Sequence, residues 1–194
     1  MLTALLLAAG ESARMGRLKA LLPWQDTTLL EYALRELGAS RVDARLVVLG
    51  HAAEELSPIV ARAGAGSVLN PRYREGRATS IAAGVAALPP PTAHLLVASV
   101  DQPRPRAVVD ALIAAHLAAD ASISRAVHAG KHGHPTIFAA ALFDELRRVD
   151  EASEGMKGVL RRHAAAIQDV EIDDPAVLLN LNTPDEYAAA LNRD

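Results

Sequence analysis

Residues 1–20 read MLTALLLAAGESARMGRLKA, an apolar run followed by a loop of small and cationic residues. The run from Leu2 to Leu7 has the pattern of a strand that is buried on both faces. Small side chains follow, and Gly10 permits a backbone whose N–H groups turn inward. The cations Arg14 and Lys19 come next. The stretch therefore predicts a first strand whose end holds a polyanion, most simply a nucleoside triphosphate.

A plainer interpretation of the same stretch is a strand followed by a tight turn and a solvated basic loop. Two common phosphate-binding patterns are absent from it. The P-loop requires Gly-Lys-Ser/Thr after a four-residue gap, and the dinucleotide fingerprint requires three glycines at fixed spacing before a helix. Spacing alone therefore leaves both interpretations open.

The order of residues in this stretch resembles a family signature, Leu7-Ala8-Ala9-Gly10-x-Ser12-x-Arg14-Met15-Gly16-x-x-Lys19-x-Leu21-Leu22-Pro23. It is similar to the signature of the MobA-like nucleotidyltransferases, and within them most similar to the molybdenum cofactor cytidylyltransferases. Such enzymes join a nucleoside monophosphate, taken from an NTP, to an acceptor phosphate and release pyrophosphate. The resemblance implies catalytic roles for Arg14 and Lys19, and nucleotide contacts from Leu7, Ala8, Ala9, Gly10 and Ser12.

The composition limits the classes of protein to consider. The chain has 194 residues, of which 51% are hydrophobic and 3% aromatic, and its formal net charge is -3. The length suits one domain with a full core, so we expect a single domain over residues 1–194. An acidic chain poor in aromatic residues has neither the charge nor the stacking surface typical of nucleic-acid binding. We therefore expect small-molecule partners and no nucleic acid. We also expect a monomer.

The absence of cysteine excludes disulfides and cysteine-based zinc sites. The amino terminus lacks the basic region of a signal peptide, and its apolar run is too short to span a bilayer. We expect a soluble, cytoplasmic protein that has no membrane partner.

The second informative stretch is residues 70–84, which read NPRYREGRATSIAAG. A strand end, a loop with three arginines and a Ser/Thr-led helix would place a helix N-terminus at the carboxyl edge of a parallel sheet, where ligands bind. A solvated basic loop before an ordinary helix is the alternative. The stretch resembles the family's Asn-Pro…Gly…Ser…Gly block, which implies base and ribose contacts from Asn70, Gly76 and Ser80. The family often has Met where this chain has Arg77, which would contact a phosphate or the acceptor, or be exposed.

The third stretch is an apolar run from His94 to Val100 that ends in Asp101-Gln102-Pro103. A carboxylate at the tip of a buried strand suits Mg²⁺, although Asp-x-Pro is also common turn chemistry. The stretch resembles the family's strand-Asp-Gln-Pro motif, in which the aspartate holds the catalytic magnesium. The resemblance therefore implies Mg²⁺ as cofactor and Asp101 as its ligand and a catalytic residue.

Residues 130–138, GKHGHPTIF, allow three interpretations. His132 and His134 could hold a transition metal, the segment could be a polar loop before a strand, or it could be the family's Gly-His-Pro block. We favour the last, in which Gly133, His134 and Pro135 line the acceptor side.

The sequence departs from the cytidylyltransferase pattern at Asn180-Leu181-Asn182-Thr183-Pro184. These enzymes usually carry Asp-x-Asp-Thr-Pro there, with the second aspartate as a magnesium ligand. Asn182 offers magnesium an oxygen without charge. The related guanylyltransferases often have Asn-x-Asn-Thr-Pro, so the choice between CTP and GTP stays open.

The alternation of strands and helices predicts an α/β fold with a mostly parallel sheet covered on both faces. We expect its last strands over Val170–Ile172 and Leu178–Leu181. The resemblance implies the three-layer, Rossmann-like nucleotidyltransferase fold.

The resemblance also implies the function, which is transfer of CMP from CTP to the terminal phosphate of a molybdopterin-type acceptor. A molybdenum enzyme or its chaperone would be a further partner. Four alternatives stay open: a GTP-dependent guanylyltransferase, transfer to a sugar phosphate or another small phosphorylated acceptor, a non-catalytic nucleotide-binding maturation factor, and a structural module without a ligand.

Overall fold

The structure, a computed structural model, describes residues 1–192 of the chain. Strands and helices alternate through these residues. The strands are β1 (Leu2–Ala8), β2 (Pro23–Trp24), β3 (Thr27–Thr28), β4 (Ala44–Leu49), β5 (Gly66–Leu69), β6 (His94–Ser99), β7 (Ile123–His128), β8 (Lys131–Ala139) and β9 (Ile167–Glu171). The α-helices are α1 (Leu29–Ala39), α2 (Ala53–Arg62), α3 (Arg77–Ala86), α4 (Arg106–Ala119), α5 (Phe143–Leu146), α6 (Gly155–Arg162) and α7 (Pro184–Leu191).

Seven strands form one sheet in the order β5-β4-β1-β6-β8-β7-β9, and β2 and β3 form a separate short hairpin. Strands β5, β4, β1 and β6 are parallel, and β7 is parallel to β9. Strand β8 runs antiparallel to both of its neighbours, β6 and β7. The predicted α/β fold with a mostly parallel sheet is confirmed.

Strand β1 lies near the middle of the sheet, and all seven of its residues are buried. Successive side chains of a strand point to opposite faces of the sheet. On one face, Ala4, Leu6 and Ala8 pack in a cluster with apolar residues of α1, α2 and α4. On the other, Leu5 and Leu7 pack with residues of α3, α5 and α6. These two clusters produce the three layers that the family resemblance implied.

Helices α1 and α7 begin with capping boxes, which satisfy backbone N–H groups that have no partner within the helix. The Thr28 hydroxyl accepts a hydrogen bond from the Glu31 N–H, and the Glu31 carboxylate accepts one from the Thr28 N–H. Thr183 and Glu186 repeat this arrangement at α7. The Thr183 box fixes the start of the helix directly after Asn182. Within residues 1–192, no helix is both long enough and apolar enough to cross a membrane.

The prediction of a strand over Leu178–Leu181 is wrong, whereas the strand expected over Val170–Ile172 overlaps β9. Residues Pro175–Leu178 form a turn of 3₁₀ helix, because the Asp174 side chain accepts a hydrogen bond from the Ala176 N–H. The Leu181 N–H then donates to the carbonyl oxygen of Asp101. The segment is held against the loop after β6 instead of extending the sheet.

Parallel strands bring their carboxyl ends to one edge of a sheet, and ligands of α/β proteins bind outside that edge. The loops after β1, β4, β5 and β6 therefore meet there. Because β8 is antiparallel, its first residues lie at the same edge. This topology brings distant sequence segments to one place.

Candidate active site

A first cavity of about 410 Å³ opens at this edge of the sheet. The loops after β1, β5 and β6 line it, together with Asn182. It contains most of the predicted nucleotide, catalytic and metal residues, namely Leu7, Ala8, Ala9, Gly10, Ser12, Arg14, Lys19, Gly76, Ser80, Asp101 and Asn182.

The loop after β1 folds back on itself and brings two of its three cations, Arg14 and Lys19, to the cavity. Ser12 adopts a left-handed backbone with φ 58°, and residues Ala13–Met15 form a single 3₁₀ turn that ends at Gly16, φ 66°. The Ser12 hydroxyl accepts a hydrogen bond from the Lys19 N–H at 3.0 Å. This bond closes the loop and fixes the backbone from which the Lys19 side chain projects.

Gly10 leaves part of this cavity open. A Cβ atom built on Gly10 would meet no atom within 4 Å, so packing against the protein does not require a glycine there. A ligand that approaches the backbone closely does require one. The small residue at this position therefore suits the close approach of a phosphate group.

Lys19, Asp101 and Asn182 form a polar cluster at the base of the cavity. The ammonium of Lys19 donates to Asp101 Oδ2 at 3.1 Å and to Asn182 Oδ1 at 3.2 Å. Lys19 is only 8% exposed. Asp101 Oδ1 is buried and accepts no hydrogen bond from the described residues. One carboxylate oxygen thus contacts lysine, and the other is buried without a hydrogen-bond partner among the described residues.

The Asp101 carboxyl is ionised in this setting. Burial alone would raise its pKa, but the Ser99 hydroxyl and the charges of Lys19 and Arg77 outweigh burial and hold the pKa below its ordinary value. An ionised carboxylate with a free buried oxygen, beside an amide oxygen, fits a hard divalent cation. Within residues 1–192, no three His, Cys, Asp or Glu side chains are grouped to hold a metal unaided. Water and phosphate oxygens would complete the coordination shell.

Asn70 lies beneath the cavity and does not line it. It is 2% exposed, and its Nδ2 donates to the hydroxyls of Thr79 at 2.9 Å and Ser80 at 3.0 Å. Its Oδ1 accepts from the Arg72 N–H at 2.9 Å. Asn70 therefore ties the loop after β5 to the first turn of α3 and orients Ser80.

A second cavity of about 580 Å³ adjoins the first and is lined mainly by β8, α3 and the start of α6. Of the predicted acceptor residues, Gly133 and His134 line it. Pro135 is buried and faces a small space beside Gln102 and Arg104 instead. The first residues of β8 thus reach this cavity, but the proline does not.

His134 is a neutral imidazole at physiological pH. Burial, with the nearby charges of Arg77 and Arg104, lowers its pKa to about 4, and its Nδ1 has no partner among the described residues. The Arg104 Nε donates to the His134 carbonyl oxygen at 2.9 Å. Arg104 is 5% exposed, and burial lowers its pKa to about 10, so it still carries its charge. Arg104 therefore binds the backbone of β8 at His134 and does not line the second cavity.

The two histidines of the 130–138 segment do not act together. Both line the second cavity, but the Nε2 of the exposed His132 lies 3.0 Å from Arg125 Nη2 and 3.3 Å from Asp169 Oδ2. His134 has no such partners. This arrangement gives no support to the transition-metal interpretation.

Asn180 has a different environment from Asn182. The Gln102 Nε2 donates to Asn180 Oδ1 at 2.7 Å, and Asn180 lines neither cavity. Of the two asparagines that replace the family's usual aspartates, only Asn182 faces the polar cluster.

Sequence reasoning did not assign several residues of the site. Arg77, already noted as a departure from the family, lines both cavities. Tyr73 lines the first cavity, and the Arg74 side chain beside it pairs with Glu11 at 2.7 Å across the cleft. Glu151 Oε1 accepts from the Ala78 N–H at 2.8 Å and so caps α3. Only the Arg77 departure gave a signal in the sequence, since the other contacts join distant segments.

A model of the MobA-like NTP transferase domain matches residues 4–167 of the chain. Among characterised proteins, the chain is 28% identical to the molybdenum cofactor cytidylyltransferase of Escherichia coli over 189 residues, covering 96% of this chain and 93% of that protein. It is 29% identical to the nicotine blue oxidoreductase of Paenarthrobacter nicotinovorans over 196 residues, covering 95% and 93%.

Solved structures agree with the fold over nearly the whole chain. The Rv0371c protein of Mycobacterium tuberculosis superposes with a TM-score of 0.84 and 29% identity, covering 98% of this chain and 96% of that one. A structure of the same mycobacterial protein in complex with manganese has a TM-score of 0.80 and 26% identity, covering 100% and 99%.

Proposed function

The chain belongs to the MobA-like NTP transferase family and is a nucleotidyltransferase, and we propose that it transfers CMP from CTP to the terminal phosphate of a molybdopterin-type acceptor. Pyrophosphate is the second product. The relative in Escherichia coli, named as a molybdenum cofactor cytidylyltransferase, supports this choice of substrates.

The observation that carries the proposal is the pair of adjoining cavities. The first contains Lys19 and Asp101, and the second is lined by Gly133 and His134. Sites for small organic ligands usually have volumes of about 300–1,000 Å³, and both cavities fall in that range. Because the second cavity is the larger, it suits an acceptor of several rings better than a simple sugar phosphate.

The chemistry required of the chain is positioning and charge stabilisation. In our proposal, the N–H groups of Ala9, Gly10 and Ser12 hold the triphosphate, and Arg14 and Lys19 neutralise the charge that develops on the α-phosphate and pyrophosphate. An oxygen of the acceptor phosphate attacks the α-phosphorus in line with the bond that breaks. Such arrangements accelerate phosphoryl and nucleotidyl transfer without a covalent enzyme intermediate.

Asp101 and Asn182 are our candidates to hold a divalent cation, proposed as Mg²⁺. A cation there would supply positive charge to the phosphate oxygens that complete its shell. The manganese complex of the mycobacterial relative supports a divalent metal in this fold. Asn182 contributes oxygen without charge, so the carboxylate of Asp101 carries the negative charge of the proposed protein ligands.

Pyrophosphate release tests the proposal directly. Purified protein is supplied with Mg²⁺, molybdenum cofactor and each NTP in turn. Release with CTP alone supports the cytidylyltransferase. Release with GTP alone replaces it with a guanylyltransferase, for which Asn182 is the supporting residue. Nucleotide binding without release from any NTP overturns this acceptor, and leaves another phosphorylated acceptor or a non-catalytic maturation factor.

We also propose that the chain acts as a cytoplasmic monomer on small molecules and delivers its product to a molybdenum enzyme or its chaperone. The net charge of -3 and the local cluster of cations support a small anionic ligand rather than a nucleic acid. Light scattering after size-exclusion chromatography measures the oligomeric state.

A further inference from the structure

Arg77 is the side chain that the two cavities have in common. It is the first residue of α3, directly after Gly76 at the mouth of the first cavity. The neighbouring Ser80 faces the first cavity, whereas Ala78 and Ile81 face the second. Arg77 therefore stands where a nucleotide in one cavity and an acceptor in the other would meet.

The guanidinium of Arg77 makes no hydrogen bond or ion pair with any other residue of the described range 1–192. Nearby arginines differ in this respect, since Arg72 pairs with Glu75 and Arg74 pairs with Glu11. Arg125, in the second cavity, pairs with Asp169. Their charges are already neutralised, and that of Arg77 is available to an anion.

The surroundings of Arg77 would strengthen its attraction to a bound anion. Its side chain is exposed in the cleft. Desolvation by the surrounding protein nevertheless lowers the pKa of Arg77 below its ordinary value. The negative charges of Asp101 and Glu151 act on it, but neither carboxylate forms an ion pair with it. Arginine presents parallel N–H groups that match two oxygens of one phosphate, and such contacts are strongest where water is scarce.

The other free cations of the cleft are divided between the cavities. Arg14 lines only the first cavity and Lys157 only the second, and within residues 1–192 neither makes an ion pair. Arg14 can therefore serve the triphosphate, and Lys157 a distant part of the acceptor. Among the residues that the structure describes, Arg77 is the cation without an ion pair that lines both cavities.

We propose that Arg77 binds the attacking phosphate of the acceptor and holds it against the α-phosphate of the nucleotide. This inference rests on the proposed function and assigns to the chain a residue that recognises a phosphate monoester. In the transfer, an acceptor phosphate oxygen forms a bond to the α-phosphorus, and the bond from that phosphorus to the bridging oxygen of the β-phosphate breaks. Pyrophosphate leaves with the electron pair. Arg77 reduces the repulsion between the two anionic phosphates as they approach.

The test compares Arg77→Met and Arg77→Lys with Arg72→Met, which removes the same charge at an exposed, ion-paired position outside both cavities. We expect Arg77→Met to lower kcat/KM for the acceptor by about 10- to 100-fold, the range of a lost charge-assisted contact, while KM for the NTP stays within about twofold. Arg77→Lys should recover part of the loss, and Arg72→Met should match the wild type. Unchanged acceptor kinetics in Arg77→Met, or a rise confined to the KM of the NTP, would overturn the proposal.

A binding measurement separates this inference from the proposed function. Inorganic phosphate is titrated by calorimetry into protein loaded with a non-hydrolysable CTP analogue. Binding to wild type and Arg72→Met that is about tenfold weaker in Arg77→Met supports the phosphate role even if molybdenum cofactor is not turned over. Equal binding in all three proteins overturns it. Absence of turnover in the wild type with every NTP would instead count against the proposed function.

Discussion

The ammonium of Lys19 lies 3.1 Å from Oδ2 of Asp101, and this contact joins loops that are 82 positions apart in the chain. Buried ion pairs contribute little net stability, because desolvation of both charges offsets their attraction. The pair is better explained by a role in the candidate active site. It fixes a cation and an ionised carboxylate at the base of the first cavity, where phosphate charge would develop.

Removing either charge of this pair should reduce catalysis strongly, and because its partner is then left buried without a counter-charge, it should also lower the free energy of unfolding. We expect Lys19→Met and Asp101→Asn each to lower kcat for pyrophosphate release by about a hundredfold or more, as for other charge-stabilising groups. Because the two residues act together, the double variant should lose much less than the product of the single losses. Arg17→Met removes an exposed cation of the same loop that does not line the cavity, and it should keep wild-type rates. A Lys19→Met protein with wild-type kcat would remove lysine from the mechanism.

The sequence predicted the central part of the fold because that part depends on local pattern. The apolar run of β1, the capping box at Thr183 and the strand that ends before Asp101 are each encoded within a few residues. The placement of Gly10 and Asp101 at one edge then followed from the rule that parallel strands present their carboxyl ends together.

The parts that the sequence did not predict depend on contacts between distant segments. The cap of α3 by Glu151 joins residues 73 positions apart, and no local motif signals it. The direction of β8 is likewise invisible in its composition, yet it brings Gly133 and His134 to the active edge. The strand expected at Leu178–Leu181 failed because Asp174 starts a tight turn. The single domain over residues 1–194 and the site roles stay predictions.

Restoring a negative charge at position 182 should strengthen metal binding. Asn182→Asp adds a carboxylate beside Asp101, and the affinity of oxygen sites for hard cations rises with the charge of the ligands. We expect the Mg²⁺ concentration for half-maximal activity to fall by on the order of tenfold. Asn180→Asp adds the same charge at a site bound by Gln102 outside the cavities, and should leave that concentration nearly unchanged. Equal shifts in both variants would mean that only overall charge matters.

An added methyl group should lower the stability of the fold at one glycine of the site and leave it nearly unchanged at another. At Gly133, a Cβ would lie 2.2 Å from the Val177 carbonyl oxygen, so Gly133→Ala should lower the free energy of unfolding by about 1–3 kcal/mol. At Gly10, the Cβ would meet no atom, so Gly10→Ala should change the free energy of unfolding by less than about 0.5 kcal/mol.

Gly10→Ala should nevertheless weaken NTP binding, by on the order of tenfold, because the methyl group would occupy space that the phosphates require. Urea unfolding measures the stability of both variants, and calorimetry measures NTP affinity. An unchanged NTP affinity in Gly10→Ala would show that the triphosphate does not approach this part of the loop.

A pair of histidines far from the candidate active site should make the stability of the fold depend on pH. His116 is fully buried, its Nε2 lies 3.0 Å from His94 Nδ1, and its Nδ1 lies 2.8 Å from the Ser124 hydroxyl. Burial, followed by repulsion from His94, lowers the pKa of His116 from 6.5 to about 4. Between these two values the unfolded chain takes up a proton that the folded chain does not.

The free energy of unfolding should therefore fall as the pH falls from about 6.5 to about 4, by about 1–2 kcal/mol at pH 5 from this residue. Urea unfolding at pH 7.5 and pH 5 measures the difference. His116→Gln keeps a polar side chain but does not titrate, so its loss of stability between the two pH values should be smaller by that amount. His51→Gln, at an exposed position, should retain the wild-type difference. If His116→Gln loses as much stability as wild type on acidification, the acid sensitivity comes from other groups and not from the buried pair.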